Sequence, residues 1–409
     1  MQSPRFSKPR CSRVAVSLLS LAAFGGVIVP MDPLRAGAAT WNNAAGGPWG
    51  TPANWTPSAV PDGIGASATF GSAITAPGTI DVDGSFTVSN LVFDNANSYT
   101  LSGNTVTIAT NAPSSLGSIT VNSGAHTIAS ALNLAAHTSI TTAAGSGLLV
   151  TGDMTATAKN ITKFGLGTAQ FNNVRAMSLD VVNGSLKITP GATPNSPAGT
   201  SVVKLLLLGN TPNLDLTNNS LIDDYSGSVP GNLVGTFRGH LRAGRMSSSS
   251  ATATTRIGYG DNMVLHKTIF AGQPVPTTSV LFKYTYAGDA DLDGDADGVD
   301  IGTWATNFTG EQGVSGTKVW TQGDWDYDGD VDGVDAGLWA QAFTGELGGA
   351  GLGSLVIDDP SIAPGAASIL RGMGITVVPE PGTIGAVAAM LAAGTVLQRR
   401  RTRGASHRR

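Results

Sequence analysis

A mostly β fold, followed by a small helical module with a duplicated acidic loop, is predicted from three observations. Only 13% of the 409 residues are charged, whereas 54 are glycine and 21 are proline, a composition that suits short strands and tight turns and disfavours an α-helical enzyme. Residues 39–286 form short β-prone runs separated by glycine and asparagine. Two aspartate-rich segments of twelve residues follow, offset by 35 positions.

Negative charge is concentrated around these two segments. Thirteen acidic side chains lie between Asp289 and Asp335 against Lys318 alone, which gives −12 there and leaves +8 for the rest of a chain whose net charge is −4. So many carboxylates in one place suggest a cation as ligand. The charge balance gives no support to nucleic acid as a partner.

The first 38 residues are predicted to be a secretory signal peptide. Four basic and no acidic side chains precede the apolar run Val14–Val29, and Ala36-Gly37-Ala38 offers the small residues of a peptidase site. Cleavage is expected after Ala38 or Ala39, with an uncleaved anchor as the alternative. The only cysteine, Cys11, lies in this leader, so the mature chain has no disulfide and no thiol nucleophile. The sequence therefore predicts an exported protein.

Residues 39–286 are predicted to form a stack of short strands. Alternation of apolar and polar side chains, as in Val106-Thr107-Ile108, is typical of half-buried strands, and no stretch of ten residues has helical periodicity. Asparagine-rich turns, low charge and loosely repeating units favour a β-solenoid, with a β-sandwich or a barrel as alternatives. Representative predicted strands are Ile80–Val88, Asn90–Phe93, Ser98–Ala109, Ser118–Val121, Leu148–Val150, Met177–Val182 and Ser185–Ile188.

Two stretches of this region resemble autotransporter-associated β-strand repeat proteins. The opening resembles their start through Trp41-Asn42-Asn43, Trp49, Asn54-Trp55, Pro61-Asp62 and Ala68-Thr69-Phe70. The repeat itself is matched by Asn160-Ile161-Thr162-Lys163, Gly165, Gly167-Thr168 and Val182-Asn183-Gly184-Ser185-Leu186, although its second glycine cluster is absent from residues 170–178. The resemblance implies a right-handed parallel β-helix that is displayed outside the cell.

The three tryptophans of the opening allow two interpretations. Exposed indoles could stack on sugar rings. Alternatively, they cover the apolar edge at the open end of the solenoid, which is the interpretation that we favour.

The sharpest chemical signal is a pair of calcium-binding patterns, loop 1 (residues 289–300, DADLDGDADGVD) and loop 2 (residues 324–335, DWDYDGDVDGVD). Loops of the EF type take oxygen ligands from positions 1, 3, 5, 7, 9 and 12, with glycine at position 6. Calcium prefers such hard carboxylate oxygens, and Mg²⁺ suits them less because it demands a tight octahedron. The predicted ligands of two Ca²⁺ ions are Asp289, Asp291, Asp293, the carbonyl of Asp295, Asp297 and Asp300, and then Asp324, Asp326, Asp328, the carbonyl of Asp330, Asp332 and Asp335.

A helix is predicted after each loop, with Trp304 and Phe308 in the first copy matched by Trp339 and Phe343 in the second. This duplication, within residues 287–346, resembles a type I dockerin. The resemblance implies calcium binding and a role in protein interaction. Dockerins recognise cohesin through loop positions 10 and 11, which are Gly298-Val299 and Gly333-Val334 here and offer no polar contact, so cohesin is not the expected partner.

The C-terminal end is predicted to be a sorting signal. Residues 347–377 are interpreted as a linker, and residues 378–409 contain Val378-Pro379-Glu380-Pro381, the apolar stretch Gly382–Leu397 and an arginine cluster. These three parts resemble the PEP-CTERM sorting tail, also known as an ice-binding protein C-terminal segment. The resemblance implies a transmembrane helix, a cytoplasmic arginine cluster and a sorting protease as partner. An ordinary membrane anchor is the alternative.

Little in the sequence indicates catalysis. Nucleophile-elbow and zinc-protease motifs are absent, and the five histidines are scattered. Carboxylate pairs for glycoside hydrolysis are restricted to Asp81 with Asp83 or Asp223 with Asp224.

The order of segments resembles that of planctomycete-type surface proteins. The expected function is that of an exported, non-catalytic structural or adhesive protein. Its expected location is the cell envelope or outer surface, unless it is secreted. The expected partner is a surface protein or an extracellular polysaccharide. The alternatives are a polysaccharide-active enzyme, a glycoside hydrolase or lyase, or a carbohydrate-binding protein displayed through its dockerin. Ice binding is a third possibility, for which a flat threonine ladder on one solenoid face would be the signature.

Overall fold

The computed structural model describes residues 37–226, 233–310, 316–345, 356–357, 359 and 361–378. Residues 1–36 of the predicted leader, the arginine cluster and the apolar stretch of the predicted tail lie outside this range. Among the described residues, no helix has the length and apolar character needed to cross a membrane. Strands account for 40% of the residues and helices for 15%, so the prediction of a mostly β protein is confirmed.

Short strands follow one another along the first two thirds of the chain. They are β1 Ala38–Trp41, β2 Gly47–Pro48, β3 Trp55–Thr56, β4 Ser67–Phe70, β5 Gly78–Val82, β6 Phe86–Val88, β7 Asn90–Asp94, β8 Tyr99–Gly103, β9 Val106–Ile108, β10 Gly117–Ser123, β11 Ala125–Ile128, β12 Leu132–Leu134, β13 Thr138–Thr142, β14 Gly147–Val150, β15 Met154–Phe164, β16 Thr168–Phe171, β17 Arg175–Ile188, β18 Ser201–Val203, β19 Leu206–Asp215, β20 Leu221–Asp224 and β21 Met246–Ser247.

Apart from β3, which pairs antiparallel with β1, these strands pair in parallel within three columns that the chain visits in turn. The first column runs β1, β4, β7, β10, β13 and on through parts of β15, β17 and β19. The second runs β2, β5, β8, β11, β14, β16 and on to β21, and the third runs β6, β9, β12 and on to β20. Each strand therefore pairs with the strand one circuit of the chain away.

The period-two alternation that predicted the strands places one face of each strand in the core. Strand β10 alternates buried and half-buried residues, and its Ile119 lies in register with Leu91 and Ile140, all three inaccessible to solvent. Such stacking of like residues from circuit to circuit forms one continuous apolar core.

The three opening tryptophans lie in the core and not on the surface. Trp41, Trp49 and Trp55 are at most 1% exposed, and Trp41 meets Trp55 edge to face with centroids 5.1 Å apart. This burial agrees with the capping interpretation and leaves no indole face free to stack on a sugar.

The parallel columns end in an antiparallel ribbon. Strand β20 pairs with β25 (Ser279–Tyr286), which pairs in turn with β22 (Thr255–Asp261), so the sheet as a whole is mixed. A separate small hairpin consists of β23 (Ile269–Phe270) and β24 (Gln273–Pro274).

Two helices lie within the region that was predicted to contain none. Helix α1 spans Leu233–Arg242 and buries Phe237 and Leu241, and the single-turn helix α2 spans Asn262–Leu265. The prediction was wrong at α1 because two glycines lower the helix propensity of this segment. Packing of one apolar face against the ribbon, with Phe237 edge to face on Phe282, outweighs that cost.

Two further helices follow the acidic loops, as predicted. Helix α3 spans Gly298–Asn307 and α4 spans Gly333–Ala342. The segment interpreted as a linker instead contains helix α5 (Pro364–Gly372) and a parallel pair of strands, β26 (Val356–Ile357) and β27 (Thr376–Val377). It packs back on the module, because Gly365 lies so close to the Phe308 ring that a Cβ atom would stand 2.8 Å from it.

A buried lysine organises the turn that resembles the autotransporter repeat. Lys163 on β15 is 0% exposed, and its ammonium group donates to the carbonyls of Phe164, Gly165 and Gly167 at 2.8, 2.9 and 3.0 Å. Burial lowers the pKa of Lys163 to about 8, so the group is still protonated at neutral pH. All three ammonium hydrogens are thus used to satisfy three carbonyls of a tight turn.

Replacement of this lysine is expected to destabilise the β-region. Lys163→Met keeps the apolar stem but leaves the three carbonyls without their donor, at a cost of about 3 kcal/mol of unfolding free energy. Urea unfolding of the full chain measures this difference. Lys204→Met, at a side chain that is 61% exposed, is the matched control and should change little; equal stability of the two variants would contradict the structural role of Lys163.

Candidate metal centre

Each acidic loop ends in a helix that its own last aspartates cap. In loop 1, Asp297 accepts a hydrogen bond from the Val299 amide at 2.8 Å while Asp300 accepts one from the Asp297 amide at 2.8 Å. Loop 2 repeats this reciprocal capping with Asp332 and Asp335. The carboxylates at loop positions 9 and 12 therefore cap the start of the helix. The same hydrogen bonds fix the orientation of these two carboxylates.

The first aspartate of loop 1 is buried and already has partners. Asp289 is 0% exposed, and its Oδ2 accepts a short hydrogen bond from the Thr285 hydroxyl and lies 3.7 Å from the Lys283 ammonium. Its Oδ1 accepts from the Asp293 amide at 3.0 Å. Both Lys283 and Thr285 belong to strand β25, so the ribbon contributes directly to loop 1.

The equivalent aspartate of loop 2 has no such partners. Asp324 is also 0% exposed, and no donor among the described residues makes a well-formed hydrogen bond to either of its carboxylate oxygens, although the Gly329 backbone amide and the Arg238 guanidinium lie near enough to favour its ionised form. One oxygen of Asp330, which is 4% exposed, is likewise without a partner there. A buried carboxylate without donors costs several kcal/mol unless a cation or a proton neutralises it.

Ten of the twelve predicted ligands form four groups of three carboxylates, and the two groups within each loop share one residue. Within each group one oxygen per residue lies within 4.8 Å of the others, a spacing that one ion can bridge because calcium–oxygen distances of about 2.3–2.6 Å place two ligands at most about 5 Å apart. The groups are Asp289, Asp291 and Asp300; Asp295, Asp297 and Asp300; Asp324, Asp326 and Asp335; and Asp330, Asp332 and Asp335.

The grouping differs from the prediction in two respects. Among the described residues, Asp293 and Asp328 belong to no such group, and each instead accepts a backbone amide within its own loop, from Asp295 at 3.2 Å and from Asp330 at 3.0 Å. Residues at position 7, predicted to act through their carbonyls, are brought to the groups by their side chains. The twelfth-position aspartate joins the two groups in each loop.

Burial dominates the electrostatics of these carboxylates. It raises the pKa of Asp324 to about 7; the Gly329 backbone amide and the Arg238 charge oppose this shift, whereas repulsion from Asp326 adds to it. It raises the pKa of Asp300 and of Asp335 to about 8 each, although backbone amides that donate to both groups act in the opposite direction. A bound cation would reverse this tendency by stabilising the ionised form.

The two copies of the loop–helix unit exchange equivalent contacts. The indole of Trp304 donates to the carbonyl of Asp332 in loop 2 at 2.8 Å, and the indole of Trp339 donates to the carbonyl of Asp297 in loop 1 at 3.0 Å. Thr309 and Thr344 each receive an amide of the opposite loop at their hydroxyl, at 2.9 and 3.0 Å. Since neither copy completes its loop alone, the duplication forms one folding unit.

Sequence reasoning missed the basic side chains that contact the loops from outside. Besides Lys283, two arginines of α1 reach loop 2 or its approach: Arg238 donates to the carbonyl of Lys318 at 2.6 Å and Arg242 to that of Asp328 at 2.9 Å. The spacing of the two arginines places them on one face of a helix, which could have marked them as a pair. Nothing in the sequence indicates the distant loop that they contact.

The positions that dockerins use for cohesin are at the surface. Val299 is 65% exposed and Val334 is 56% exposed, at the starts of α3 and α4. They present small apolar side chains to solvent at these two positions.

The predicted carboxylate pairs have structural partners. Asp83 accepts the Gly50 amide at 2.7 Å and so secures the opening of the β-region. Asp223 is 2% exposed and accepts the Leu206 amide at 3.0 Å, and Asp224 lies 3.5 Å from the Lys204 ammonium. Burial raises the pKa of Asp223 to about 7, and the group is almost inaccessible to solvent.

A groove of about 490 Å³ on the β-region is the place where a carbohydrate would be sought. Three of its polar side chains donate hydrogen bonds within the chain: Arg175 to the carbonyl of Pro197 at 2.6 Å, and Asn172 and Asn173 to carbonyls at 2.9 and 3.0 Å. Aromatic rings are absent from the residues described as lining it. This groove gives the carbohydrate-binding alternative little support.

Threonines lie in register on the outer face of the first column, but other residues interrupt the row. Thr40 is paired with Thr69, and Thr120 with Thr141, whereas Val92 stands between the two pairs and Phe164 follows Thr141. The unbroken threonine ladder expected for ice binding is therefore not formed by this column.

The β-region and the paired acidic loops together define a class of protein with a parallel β-column body and a duplicated candidate metal module. Comparison of the chain with protein-family models, with curated proteins and with solved structures finds no match.

Proposed function

We propose that the protein is an exported, non-catalytic structural or adhesive protein of the cell surface that carries two calcium ions in a dockerin-like module. Asp324 carries the calcium assignment: a fully buried carboxylate without a well-formed hydrogen bond in the described structure, adjacent to Asp326 and Asp335. When bound, calcium would supply the positive charge that these oxygens need. The side chains of each loop would hold one ion. The helix that follows each loop is capped by the aspartates of that loop, which orients these side chains.

Calorimetric titration of the full chain with calcium tests this assignment. Two sites are expected, with dissociation constants of roughly 10⁻⁴ to 10⁻³ M or tighter, in the range of extracellular modules. Asp289→Ala and Asp324→Ala should each remove one site. The absence of heat at millimolar calcium would contradict the proposal.

We also propose that the three columns are the faces of a right-handed parallel β-helix, as the resemblance to autotransporter-associated repeats implies. The parallel pairing of strands one circuit apart and the single apolar core support this interpretation. A long, low-charge body of this kind suits a stalk or an adhesive surface. A polysaccharide-active enzyme is the rival, and the structural roles of Asp83, Asp223 and Asp224 count against it.

Export and processing are expected to leave identifiable ends on the native protein. Mass spectrometry of material from the cell envelope should find an N-terminus near Ala38 and a C-terminus near Pro381, because the leader and the sorting tail would both have been removed. Cleavage after Ala38 or Ala39 would remove the first one or two residues of strand β1 and leave the rest of that strand in the mature protein. An intact Arg409 on exported protein would rule out processing, and a wholly cytoplasmic protein would contradict the proposed location.

A further inference from the structure

In each acidic loop, a basic side chain of the β-region lies beside the sixth residue of the loop. The sixth residues, Gly294 and Gly329, have φ angles of +116° and +97°. A Cβ atom on Gly294 would stand 3.0 Å from the Lys283 ammonium nitrogen, and one on Gly329 would stand 2.6 Å from Arg238 Nη1. The positive φ favours glycine at this position of both loops, and in both loops a basic side chain lies directly beside it.

These cations fix the backbone of the module to the β-region. Lys283 on β25 donates to the Leu292 carbonyl at 2.8 Å, inside loop 1, and lies 3.7 Å from Asp289. Arg238 and Arg242 on α1 donate to carbonyls next to and within loop 2 at 2.6 and 2.9 Å. Hydrogen bonds from charged donors to buried or half-buried carbonyls are among the stronger contacts available to a protein.

Aromatic side chains of the module continue the contact along β22. The Tyr327 hydroxyl of loop 2 donates to the Ile257 carbonyl at 2.9 Å, and the ring of Tyr327 stacks on Trp320 with centroids 5.7 Å apart. On β22 itself, Gly258 leaves no room for a side chain, because a Cβ atom would stand 2.6 Å from Leu292 and 3.0 Å from Trp320. Strand β22 is therefore shaped to receive the module.

We propose that the module is a calcium-dependent cap on the β-region of its own chain, which covers the antiparallel ribbon where the parallel columns end. This inference rests on the proposed calcium binding and assigns the partner of the module. Its two loops carry the residues that contact the ribbon, so calcium that orders the loops also holds Leu292 and Tyr327 against β22. Loss of calcium releases these contacts and exposes the ribbon edge.

Amide hydrogen exchange of the full chain, with and without calcium, tests the cap. Calcium should slow exchange of β22 and β25 by roughly tenfold or more, as well as that of the loops, and should leave β10 in the distant core unchanged. Protection of the loops alone would overturn the cap while leaving calcium binding intact. If calorimetry detects no calcium binding, both the proposed function and the cap fail.

Variants separate metal binding from docking. Lys283→Met should retain two calcium sites in calorimetry, with loop 1 binding calcium up to about tenfold more tightly because a like charge is removed. The same variant should reduce the calcium-dependent protection of β22. Lys204→Met is the matched control and should behave as wild type. Tyr327→Phe, which removes only the bond to Ile257, provides a second variant should Lys283→Met fail to fold; unchanged protection of β22 in both variants would overturn the role of these contacts.

Discussion

Withdrawal of calcium from the full chain is expected to lower its free energy of unfolding by about 5 kcal/mol. A ligand that binds only the folded state contributes about 2.7 kcal/mol when its free concentration is 100 times the dissociation constant, and two loops double that figure. The effect is concentrated in residues 287–345, where buried carboxylates such as Asp324 then lack a counterion. Because the module packs on β22, part of the loss should extend into the ribbon.

Urea unfolding followed by tryptophan fluorescence measures this loss directly, since four of the seven tryptophans lie in the module: Trp304, Trp320, Trp325 and Trp339. Excess calcium and metal-free buffer are compared on the same protein. Asp324→Ala should lose about half of the calcium-dependent stabilisation. Asp81→Ala, outside both loops, serves as the control and should retain all of it; identical unfolding curves with and without calcium would refute the prediction.

The strands could be predicted because their information is local. A strand whose one face is buried must alternate, so Ser118–Val121 and Leu148–Val150 were predicted within the bounds of β10 and β14. The predicted strand Ser98–Ala109 is instead divided into β8 and β9. The sequence could not show which strands pair with one another, because this depends on the register between strands one circuit apart. That register is set by turn geometry and by side-chain stacking between residues that are distant in the sequence.

The acidic loops could be predicted for a different reason. Each loop is one continuous segment, so the spacing of its aspartates, its glycine at position 6 and the offset of 35 residues between the two loops can all be seen in the sequence. The capping of α3 by Asp297 and Asp300 follows from the same short segment. What the spacing could not show is that two separate triads share Asp300, because this depends on the path of the loop in space.

The contacts that join the module to the β-region could not be predicted. Arg238 lies 80 residues before the carbonyl that it contacts, within a helix whose glycines conceal its periodicity. Lys283 is the one charged residue of a largely apolar strand, and no neighbouring residue indicates the loop that it contacts. The sequence similarly conceals the burial of Lys163, since a lysine in a strand is expected to face solvent.

The metal-free protein is expected to become less stable as pH rises from about 4 to 8. Burial raises the folded-state pKa of Asp324 to about 7 and those of Asp300 and Asp335 to about 8, well above the ordinary value of 3.8. The folded state therefore binds more protons than the unfolded state across this window. Stability from these groups is fully present below the unfolded pKa and is lost as pH rises through the folded pKa.

Calcium should reverse this dependence, because it binds the ionised carboxylates and competes with protons for them. One pKa unit corresponds to about 1.4 kcal/mol, so the shift of Asp324 alone, from 3.8 to about 7, is worth on the order of 4 kcal/mol. Urea unfolding at acidic and mildly alkaline pH, with and without calcium, measures both slopes. Asp324→Asn, which resembles the protonated acid, should flatten the metal-free slope, whereas Asp81→Asn should not. A metal-free protein that gains stability with rising pH would show that these carboxylates are already ionised in the fold, and the argument from buried, unneutralised charge would then fail.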